Sequence, residues 1–235
     1  MNPDLLTIFA RFPRIGRVKT RLIPPLDPES AMRVYEAFLI DIMHRMIPAV
    51  RSDVEFSVAG EGNDHDAMSD LLRRNYLSGS DFPIRTRPQS VGDLGARLHA
   101  SFEESFAQGR RRVVILGADH PSVPTEYVDR AFDYIDDVDI VIGPSDDGGF
   151  YAVGMNSSVA GLFDDLPWST PGLFDAFTTR VTTLGLRCAE LPRWYDVDRP
   201  ADLVRLSEEI ESGLELPETR RVFSHLGIGR AWTNG

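Results

Sequence analysis

The sequence predicts an α/β layer sandwich built on a mostly parallel sheet. Short, continuously apolar runs alternate along the chain with longer segments whose apolar residues recur at helical spacing. Runs of this kind are typical of strands buried on both faces of a parallel sheet. Because no Gly/Ser-rich linker and no repeat divides the chain, we expect one domain over residues 1–212, followed by a helical tail at 213–235.

The first half of the chain supplies three predicted strands, at 5–9, 53–59 and 82–87. A loop rich in Pro, Gly, Arg and Lys follows the first strand at 12–26. Helices are predicted at 29–49, 64–76 and 93–108, with Asp93 as the N-cap of the third. The longest of them places its apolar residues on one face: Ala31, Val34, Phe38, Leu39, Ile42, Met43 and Met46.

The second half predicts four more strands, at 113–116, 139–142, 150–153 and 187–191. Helices are expected at 124–136, 171–184 and 200–212, and each of these segments begins with proline, which is favoured in the first turn of a helix. Another short helix is expected after Gly213.

Composition narrows the class of protein. A net charge of −11 argues against a general nucleic-acid-binding surface, which requires a basic patch. The single cysteine, Cys188, can form neither an internal disulfide nor a cysteine-based zinc site. No signal peptide and no membrane-spanning stretch is recognisable, so we expect a cytoplasmic protein, and the sequence leaves a homo-oligomer open.

The segment after the first strand concentrates positive charge. Five cations stand within eleven residues of an otherwise acidic chain: Arg11, Arg14, Arg17, Lys19 and Arg21. Lys19 is the only lysine. In open α/β sheets ligands bind beyond the carboxyl ends of the strands, and arginine and lysine suit phosphate groups. We interpret the segment as a phosphate clamp for a nucleotide, with Arg11, Gly16, Lys19 and Arg21 as binding residues; a solvated loop is the alternative.

Asp119 follows the strand at 113–116, within Gly117-Ala-Asp-His-Pro121. A carboxylate at a strand end can project into the ligand crevice and hold Mg²⁺, which takes one or two protein carboxylates and completes its coordination with water and phosphate. Capping of the turn, or of the helix from Pro124, is an equally good explanation. The adjacent His120 is expected to be a packing or hydrogen-bonding residue.

Two later segments add carboxylates. Asp147, Gly148 and Gly149 form either a hairpin turn or a loop that approaches a substrate, and the two roles are compatible. Asp196 and Asp198 lie two residues apart, so in an extended chain they point the same way. Asp198 is a candidate second metal ligand, and capping of the following helix is the alternative.

Three further residues complete the candidate site. Gln89 and Gly92 precede a helix start, where backbone N–H groups favour anions. Trp168, in the rigid loop Pro167-Trp-Ser-Thr-Pro171, is expected either to pack in the core or to contact substrate.

Six of these segments, in order over roughly residues 5 to 205, resemble the DUF2064 group of the glycosyltransferase-A superfamily. They are Phe9-Ala-Arg-Phe-Pro with Gly16-Arg-Val-Lys-Thr-Arg-Leu22, Gly92-Asp-Leu-Gly95, Leu116-Gly-Ala-Asp-His-Pro121, Gly143-Pro-Ser-Asp-Asp-Gly-Gly-Phe-Tyr151, Trp168-Ser-Thr and Tyr195-Asp-Val-Asp-Arg-Pro-Ala-Asp-Leu203. The chain departs from the usual pattern at Ala118, where a small hydroxylated residue is common, and at Arg199, where threonine is usual.

The resemblance implies a Rossmann-like three-layer α/β/α sandwich of the nucleotide-diphospho-sugar transferase type. It assigns the metal, Mg²⁺ or Mn²⁺, to Asp119 and Asp198. With Lys19 and Asp147 from the segments described above, Asp119 completes the set of candidate catalytic residues. Asp147, Gly148, Gly149 and Trp168 are the candidate substrate-binding residues. We expect glycosyl transfer from a nucleotide-activated sugar to an unidentified acceptor. Nucleotidyl transfer from an NTP and a non-catalytic nucleotide- or metabolite-binding module are the alternatives.

Overall fold

A computed structural model describes residues 2–76 and 84–229 of the chain. Within these residues, seven strands form one sheet in the order β3-β2-β1-β4-β6-β5-β7. All pairings are parallel except those of β6, which runs against both β4 and β5. The strands are β1 (Asp4–Arg11), β2 (Asp53–Ala59), β3 (Arg85–Pro88), β4 (Arg112–Gly117), β5 (Ile140–Pro144), β6 (Phe150–Met155) and β7 (Cys188–Glu190).

Helices cover both faces of the sheet, which gives the three-layer sandwich that was expected. They are α1 (Pro28–Ala49), α2 (Asp64–Asn75), α3 (Leu94–Ala107), α4 (Thr125–Ile135), α5 (Leu173–Thr183), α6 (Pro200–Glu211) and α7 (Pro217–Leu226). A short 3-10 turn, Thr20–Leu22, interrupts the loop between β1 and α1. Within the described ranges no helix combines the length and the apolar character that crossing a bilayer requires.

Two apolar cores lie on opposite faces of the sheet. The larger one joins the sheet to α1, α2, α4, α6 and α7, and the whole predicted apolar face of α1 is buried in it. The smaller one joins the sheet to α3 and α5 through residues such as Phe102 and Phe177. Burial on both faces explains why β4 and β5 are almost entirely apolar.

The predicted elements are confirmed with small shifts at their ends. The strand at 53–59 agrees residue for residue, and Asp93 caps α3 by accepting from the backbone N–H of Ala96 at 2.9 Å. The strand at 82–87 is described only from Arg85, because residues 82 and 83 lie outside the described part. The helix expected from residue 171 begins at Leu173.

Helix α7 is attached to α1 through a buried carboxylate. Asp41 of α1 is fully buried and accepts from the backbone N–H groups of Glu218 and Thr219, and from the Thr219 hydroxyl at 2.7 Å. These bonds satisfy donors at the start of α7. Since Phe223 and Ile228 also enter the larger core, residues 214–229 pack as part of the sandwich.

Six strands therefore end on the same edge of the sheet, and the loops that leave them carry most of the predicted site. The loop after β1 contains Lys19, the loop after β4 contains Asp119, and the chain beyond β7 contains Asp198. The loop after β5 is a tight hairpin turn into β6, as the Asp-Gly sequence predicts.

Candidate active site

Lys19 lies at the centre of the candidate site in an unusual backbone conformation. Its φ and ψ angles of 48° and 38° are left-handed, a region in which residues other than glycine are uncommon. The side chain is only 2% exposed, and its ammonium group lies 5.8 Å from the Tyr35 ring centroid and 5.6 Å from that of Phe38. Strained backbone held by surrounding packing often marks a functional position.

The Lys19 ammonium group bridges the two predicted metal carboxylates. It forms ion pairs with Asp119 Oδ1 and, at 3.0 Å, with Asp198 Oδ1. The second oxygen of Asp198 accepts from Arg21 Nη1 at 3.1 Å. The two carboxylates, which are 50% and 25% exposed, therefore converge on one cationic atom at the mouth of the crevice.

Neither aspartate caps a helix, which was the alternative for both. The helix after Asp119 has Pro124 as its N-cap, with no side-chain capping bond. At α6 the capping carboxylate is Asp202, which accepts from the backbone N–H groups of Asp198 and Arg199 at 3.0 and 2.7 Å. The side chain of Asp198 is thus left to face Lys19 and Arg21.

Two hydrogen bonds join the loops that carry these aspartates. Val197 N–H donates to the Asp119 carbonyl at 3.0 Å, and His120 Nδ1 donates to the Tyr195 carbonyl at 3.0 Å. His120 is buried over Gly117, where an added Cβ would lie 3.2 Å from its ring. These bonds fix the separation of residues that lie far apart in sequence, and they confirm the hydrogen-bonding role expected for His120.

Opposite charges outweigh burial in setting the protonation of the cluster. Burial alone would lower the pKa of Lys19, but Asp119 and Asp198 raise it above its ordinary value. Burial would likewise raise the pKa of Asp198, but Lys19 and Arg21 lower it. The lysine is therefore cationic and Asp198 anionic at neutral pH.

A third carboxylate beside the cluster behaves differently. Burial, then the charges of Asp198 and Asp147, raise the pKa of Asp196 to about 6. Its carboxylate lies 3.4 Å from the Ser145 hydroxyl. Because Asp147 and Asp198 both act on Asp196, the hairpin turn after β5 and the segment after β7 face a common space.

In the cationic segment after β1, some arginine side chains are paired with carboxylates and others are exposed to solvent. Arg14 is paired with Asp64 at the start of α2, and Arg21 is paired with Asp198. Gly16 stands in a turn closed by the Arg17 N–H bond to the Arg14 carbonyl, and its φ of +70° explains the need for glycine. Arg11 has an exposed side chain, while its backbone N–H donates to the buried Tyr35 hydroxyl at 3.0 Å.

A second concentration of positive charge lies at the start of α3. Burial, and then the nearby charge of Arg11, lower the pKa of Arg97. Gln89 links this helix to the sheet: its side-chain amide donates to the Ser57 carbonyl at 2.8 Å and accepts from Arg97 Nη1 at 3.0 Å. Gly92 precedes the helix with a φ of +120°. Two like charges held close together form a ready partner for an anion.

The hairpin turn after β5 is packed against the loop that contains Trp168. Asp147 Oδ1 accepts from the Gly149 N–H at 2.9 Å, which stabilises the turn. Gly148 has a φ of +87°, and an added Cβ would lie only 2.1 Å from the Pro171 carbonyl oxygen. Trp168 packs edge-on against Phe150 with ring centroids 6.2 Å apart. This contact is the packing role that was one of the two expected for Trp168.

The donor set suits a hard divalent cation bound through few protein ligands. Among the described residues, no group of three or more His, Cys, Asp or Glu side chains is arranged to hold a metal ion. Two carboxylate oxygens that already converge on an ammonium group are, however, the kind of partial site that Mg²⁺ completes with water and phosphate. Asp119 and Asp198 therefore fit the metal that the fold family implies.

Several residues at this site were not recognised from the sequence. Tyr35 and Phe38 belong to an ordinary apolar helix face, which gives no hint that two of its rings border Lys19. Arg97 carries a weak signal, since it follows Gly92-Asp-Leu-Gly95 at a helix start. The proximity of Asp196 to Asp147 depends on how the two loops pack, which sequence spacing cannot supply.

A family model for DUF2064, described as an uncharacterized protein conserved in bacteria, matches residues 46–170, more than half of the chain. The chain belongs to the DUF2064 family. This confirms the resemblance drawn from the six ordered motifs. A search of curated proteins finds no match.

Solved structures support the same placement. A proposed nucleotide-diphospho-sugar transferase from Desulfovibrio desulfuricans G20 is 26% identical, with a TM-score of 0.84 over 96% of this chain and 97% of that one. A cytidylyltransferase from Leptospira borgpetersenii is 14% identical, with a TM-score of 0.57 over 97% and 96% of the two chains. A 4-diphosphocytidyl-2C-methyl-D-erythritol synthase from Anaerococcus prevotii is 9% identical, with a TM-score of 0.55 over 89% and 97%. These last two likenesses concern the fold alone.

Proposed function

We propose that this DUF2064 protein is a divalent-metal-dependent transferase that uses a nucleotide-activated substrate, with glycosyl transfer from an NDP-sugar as the reaction. The observation that carries the proposal is the convergence of Lys19, Asp119 and Asp198 at the carboxyl edge of the sheet. Similarity to the Desulfovibrio protein, at 26% identity over nearly the full length of both chains, supports a sugar nucleotide as the donor.

The residues around this cluster would bind different parts of the nucleotide. Arg11, at the end of β1, and Arg21, from the loop that follows, would contact the phosphates together with Lys19. Arg97 adds a positive charge beside Arg11 at the start of α3. Gly16 and Gly92 let the backbone approach the ligand, and Gln89 holds Arg97 in place.

In the proposed reaction, the bond between the anomeric carbon and the diphosphate oxygen breaks, and its electron pair leaves with the NDP. The acceptor oxygen loses its proton and bonds to the same carbon. Lys19 and Arg21 would bind the diphosphate as its negative charge increases. Asp147, in the turn that faces Asp196, would accept the proton that the acceptor hydroxyl group loses. A bound Mg²⁺, held by Asp119 and Asp198, would supply Lewis-acid stabilisation of the departing diphosphate.

Nucleotidyl transfer is the second candidate, and the density of positive charge favours it. Lys19, Arg21, Arg11 and Arg97 supply more cationic groups than a diphosphate needs, and a triphosphate would use them fully. In that reaction an acceptor oxygen would attack the α-phosphorus of an NTP, and pyrophosphate would leave.

A thermal-shift panel of NTPs and NDP-sugars, with and without Mg²⁺, tests the proposal. A ligand present at a hundredfold excess over its Kd stabilises a protein by about 2.7 kcal/mol, which is readily detected. Each stabilising nucleotide is then incubated with the protein, and the released product is identified. NDP release from an NDP-sugar supports glycosyl transfer, and pyrophosphate release from an NTP supports nucleotidyl transfer. A shift without turnover favours a binding module, and no shift with any nucleotide contradicts the proposal.

A further inference from the structure

The two predicted metal ligands already have cationic partners within the chain. Lys19 Nζ contacts Oδ1 of both Asp119 and Asp198, and Arg21 Nη1 contacts Oδ2 of Asp198 at 3.1 Å. Both oxygens of Asp198 are therefore engaged by positive charge. A divalent cation that bound this carboxylate would have to share its oxygens with these two positive charges or displace one of them.

Of the two basic groups, Lys19 interferes most directly with metal binding. Its ammonium group is bonded to one oxygen of each of the two carboxylates that would hold the metal ion. The side chain is 2% exposed and is confined by the rings of Tyr35 and Phe38, so it occupies a defined position. Solvent screening of the interaction is weak at such a position.

The charges of these side chains also disfavour binding of a metal ion by itself. The four side chains in direct contact, the anions Asp119 and Asp198 and the cations Lys19 and Arg21, balance one another in charge, and Asp196 lies beside them. Mg²⁺ alone would add two positive charges next to carboxylates that are already paired. Adding a metal ion together with phosphate groups would restore the balance, because the phosphates also offer oxygen partners for Lys19 and Arg21.

We propose that Lys19 is a built-in competitor of the metal ion, so that a divalent cation binds Asp119 and Asp198 weakly by itself and strongly only when a phosphate group draws Lys19 away. The inference rests on the proposed function for the assignment of the metal to these carboxylates. Coupling of this kind is reciprocal, since whatever strengthens metal binding also strengthens phosphate binding, and typical coupling factors are about 5- to 150-fold.

The test uses Mn²⁺ alone as the probe, with free Mn²⁺ measured by electron paramagnetic resonance in the presence of the full-length protein. Lys19→Met keeps an apolar stem between the two rings and removes the charge. We expect this variant to bind one Mn²⁺ about tenfold more tightly than the wild type, or better. Lys19→Gln, which keeps a polar end, is expected to change in the same direction.

Two further variants show where the gain arises. Lys19→Met combined with Asp119→Asn should lose the gained affinity, because one of the two carboxylates is then neutral. Arg221→Met removes one positive charge from the exposed face of α7, where the side chain is 72% exposed, and should leave Mn²⁺ affinity at the wild-type value. Circular dichroism and thermal melting check that each variant is folded, and Lys19→Gln replaces Lys19→Met if the latter is unfolded.

A folded Lys19 variant that binds Mn²⁺ no more tightly than the wild type overturns the inference. If the wild type still shows metal-dependent nucleotide shifts, the proposed function survives and only the competition is wrong. If the variants gain Mn²⁺ affinity while no nucleotide shifts the wild type, the competition is right and the transferase proposal is wrong. An equal gain in Arg221→Met would attribute the effect to net charge and would also overturn the inference.

Discussion

At the amino-terminal edge of the sheet, Arg112 binds Asp4 through two parallel hydrogen bonds of 2.8 and 2.6 Å, whereas at the carboxyl-terminal edge Lys19 is shared between Asp119 and Asp198. Asp4 and Arg112 are register partners on adjacent strands. A pair of this kind uses both carboxylate oxygens and joins two neighbouring strands of the sheet. The Lys19 cluster instead joins three loops and leaves Asp119 half exposed.

The comparison shows that similar ion pairs can serve stability or function, depending on whether their carboxylate oxygens stay accessible to a ligand. A bidentate arginine–carboxylate pair engages both oxygens of its carboxylate in two parallel hydrogen bonds. One ammonium group divided between two carboxylates can be exchanged for another cation, because the oxygens face the crevice. Mutations at the two edges should therefore separate stability from activity.

The largest effect is expected from Asp119→Ala. Loss of this carboxylate should lower turnover by about 10²- to 10⁴-fold, because it removes a ligand that helps to stabilise charge in the transition state. The unfolding midpoint should fall only modestly, because Asp198 still pairs with the buried Lys19 ammonium group. Steady-state kinetics with the nucleotide found in the thermal-shift panel checks this. Asp133→Ala, at the opposite edge and 65% exposed, is the control, and near-normal turnover of Asp119→Ala would end the metal assignment.

Lys19→Ala should weaken nucleotide binding by about 10- to 150-fold, the range that corresponds to one lost charge-assisted hydrogen bond of about 1.5–3 kcal/mol. Isothermal titration calorimetry measures the change. Arg33→Ala, which removes a cation that is paired with Glu29 within α1, should bind nucleotide normally. Unchanged affinity in Lys19→Ala would remove the phosphate-binding role.

Arg112→Met tests the ion pair at the amino-terminal edge of the sheet. It leaves Asp4, whose side chain is 12% exposed, without its two hydrogen bonds, and should lower the free energy of unfolding by about 2 kcal/mol. Urea unfolding gives the value, and nucleotide affinity should be unaffected. Arg51→Met breaks pairs that are exposed to solvent and should cost less than about 1 kcal/mol. A loss of nucleotide binding in Arg112→Met would contradict the division between the two edges.

His120→Ala should lower metal-dependent turnover about tenfold, because the bond from Nδ1 to the Tyr195 carbonyl helps to hold the two aspartate-bearing loops together. His120→Asn can place an amide N–H near the same position and should restore most of the activity. The Mg²⁺ concentration for half-maximal rate separates positioning from a general packing defect. A uniform loss of stability with unchanged Mg²⁺ dependence would contradict the positioning role.

The smallest effect concerns pH. Burial is the main influence that lowers the pKa of His120, so the folded protein prefers the neutral ring. Its contribution to stability is therefore complete above the unfolded pKa of about 6.5 and is lost as the pH falls below that value. Urea unfolding between pH 7.5 and 5 should show the stability advantage of the wild type over His120→Asn shrinking as the medium becomes more acidic. A constant difference across that range would be inconsistent with a buried neutral imidazole.

Much of the fold could be predicted because each element carries its own signal. The apolar face of α1, the N-cap at Asp93 and the Asp-Gly turn after β5 act over a few residues, so spacing alone reveals them. The position of β6 between β4 and β5 could not be obtained in this way. The reversal is indicated by the turn, but which strand β6 pairs with on its other side depends on the packing of the whole sheet.

The candidate site was predictable in its parts and not in its contacts. Lys19, Asp119 and Asp198 were each identified from charge and position at strand ends. That one ammonium group would join the two carboxylates depends on the backbone conformation of Lys19 and on the rings of Tyr35 and Phe38 beside it. The roles of individual residues in binding and catalysis stay predictions until the variants are measured.

The attachment of α7 to α1 has a consequence for how the protein is made. Asp41 and Thr219 are separated by 178 positions, and Lys19 and Asp198 by 179. During synthesis at about 5–20 residues per second, β1 and α1 therefore leave the ribosome roughly ten seconds or more before their buried carboxylate and their buried lysine can meet their partners. For that interval the early part of the chain holds two ionisable groups that favour water over the core. Because α7 supplies Val222 and Phe223 to the larger core, that core is complete only once α7 has emerged.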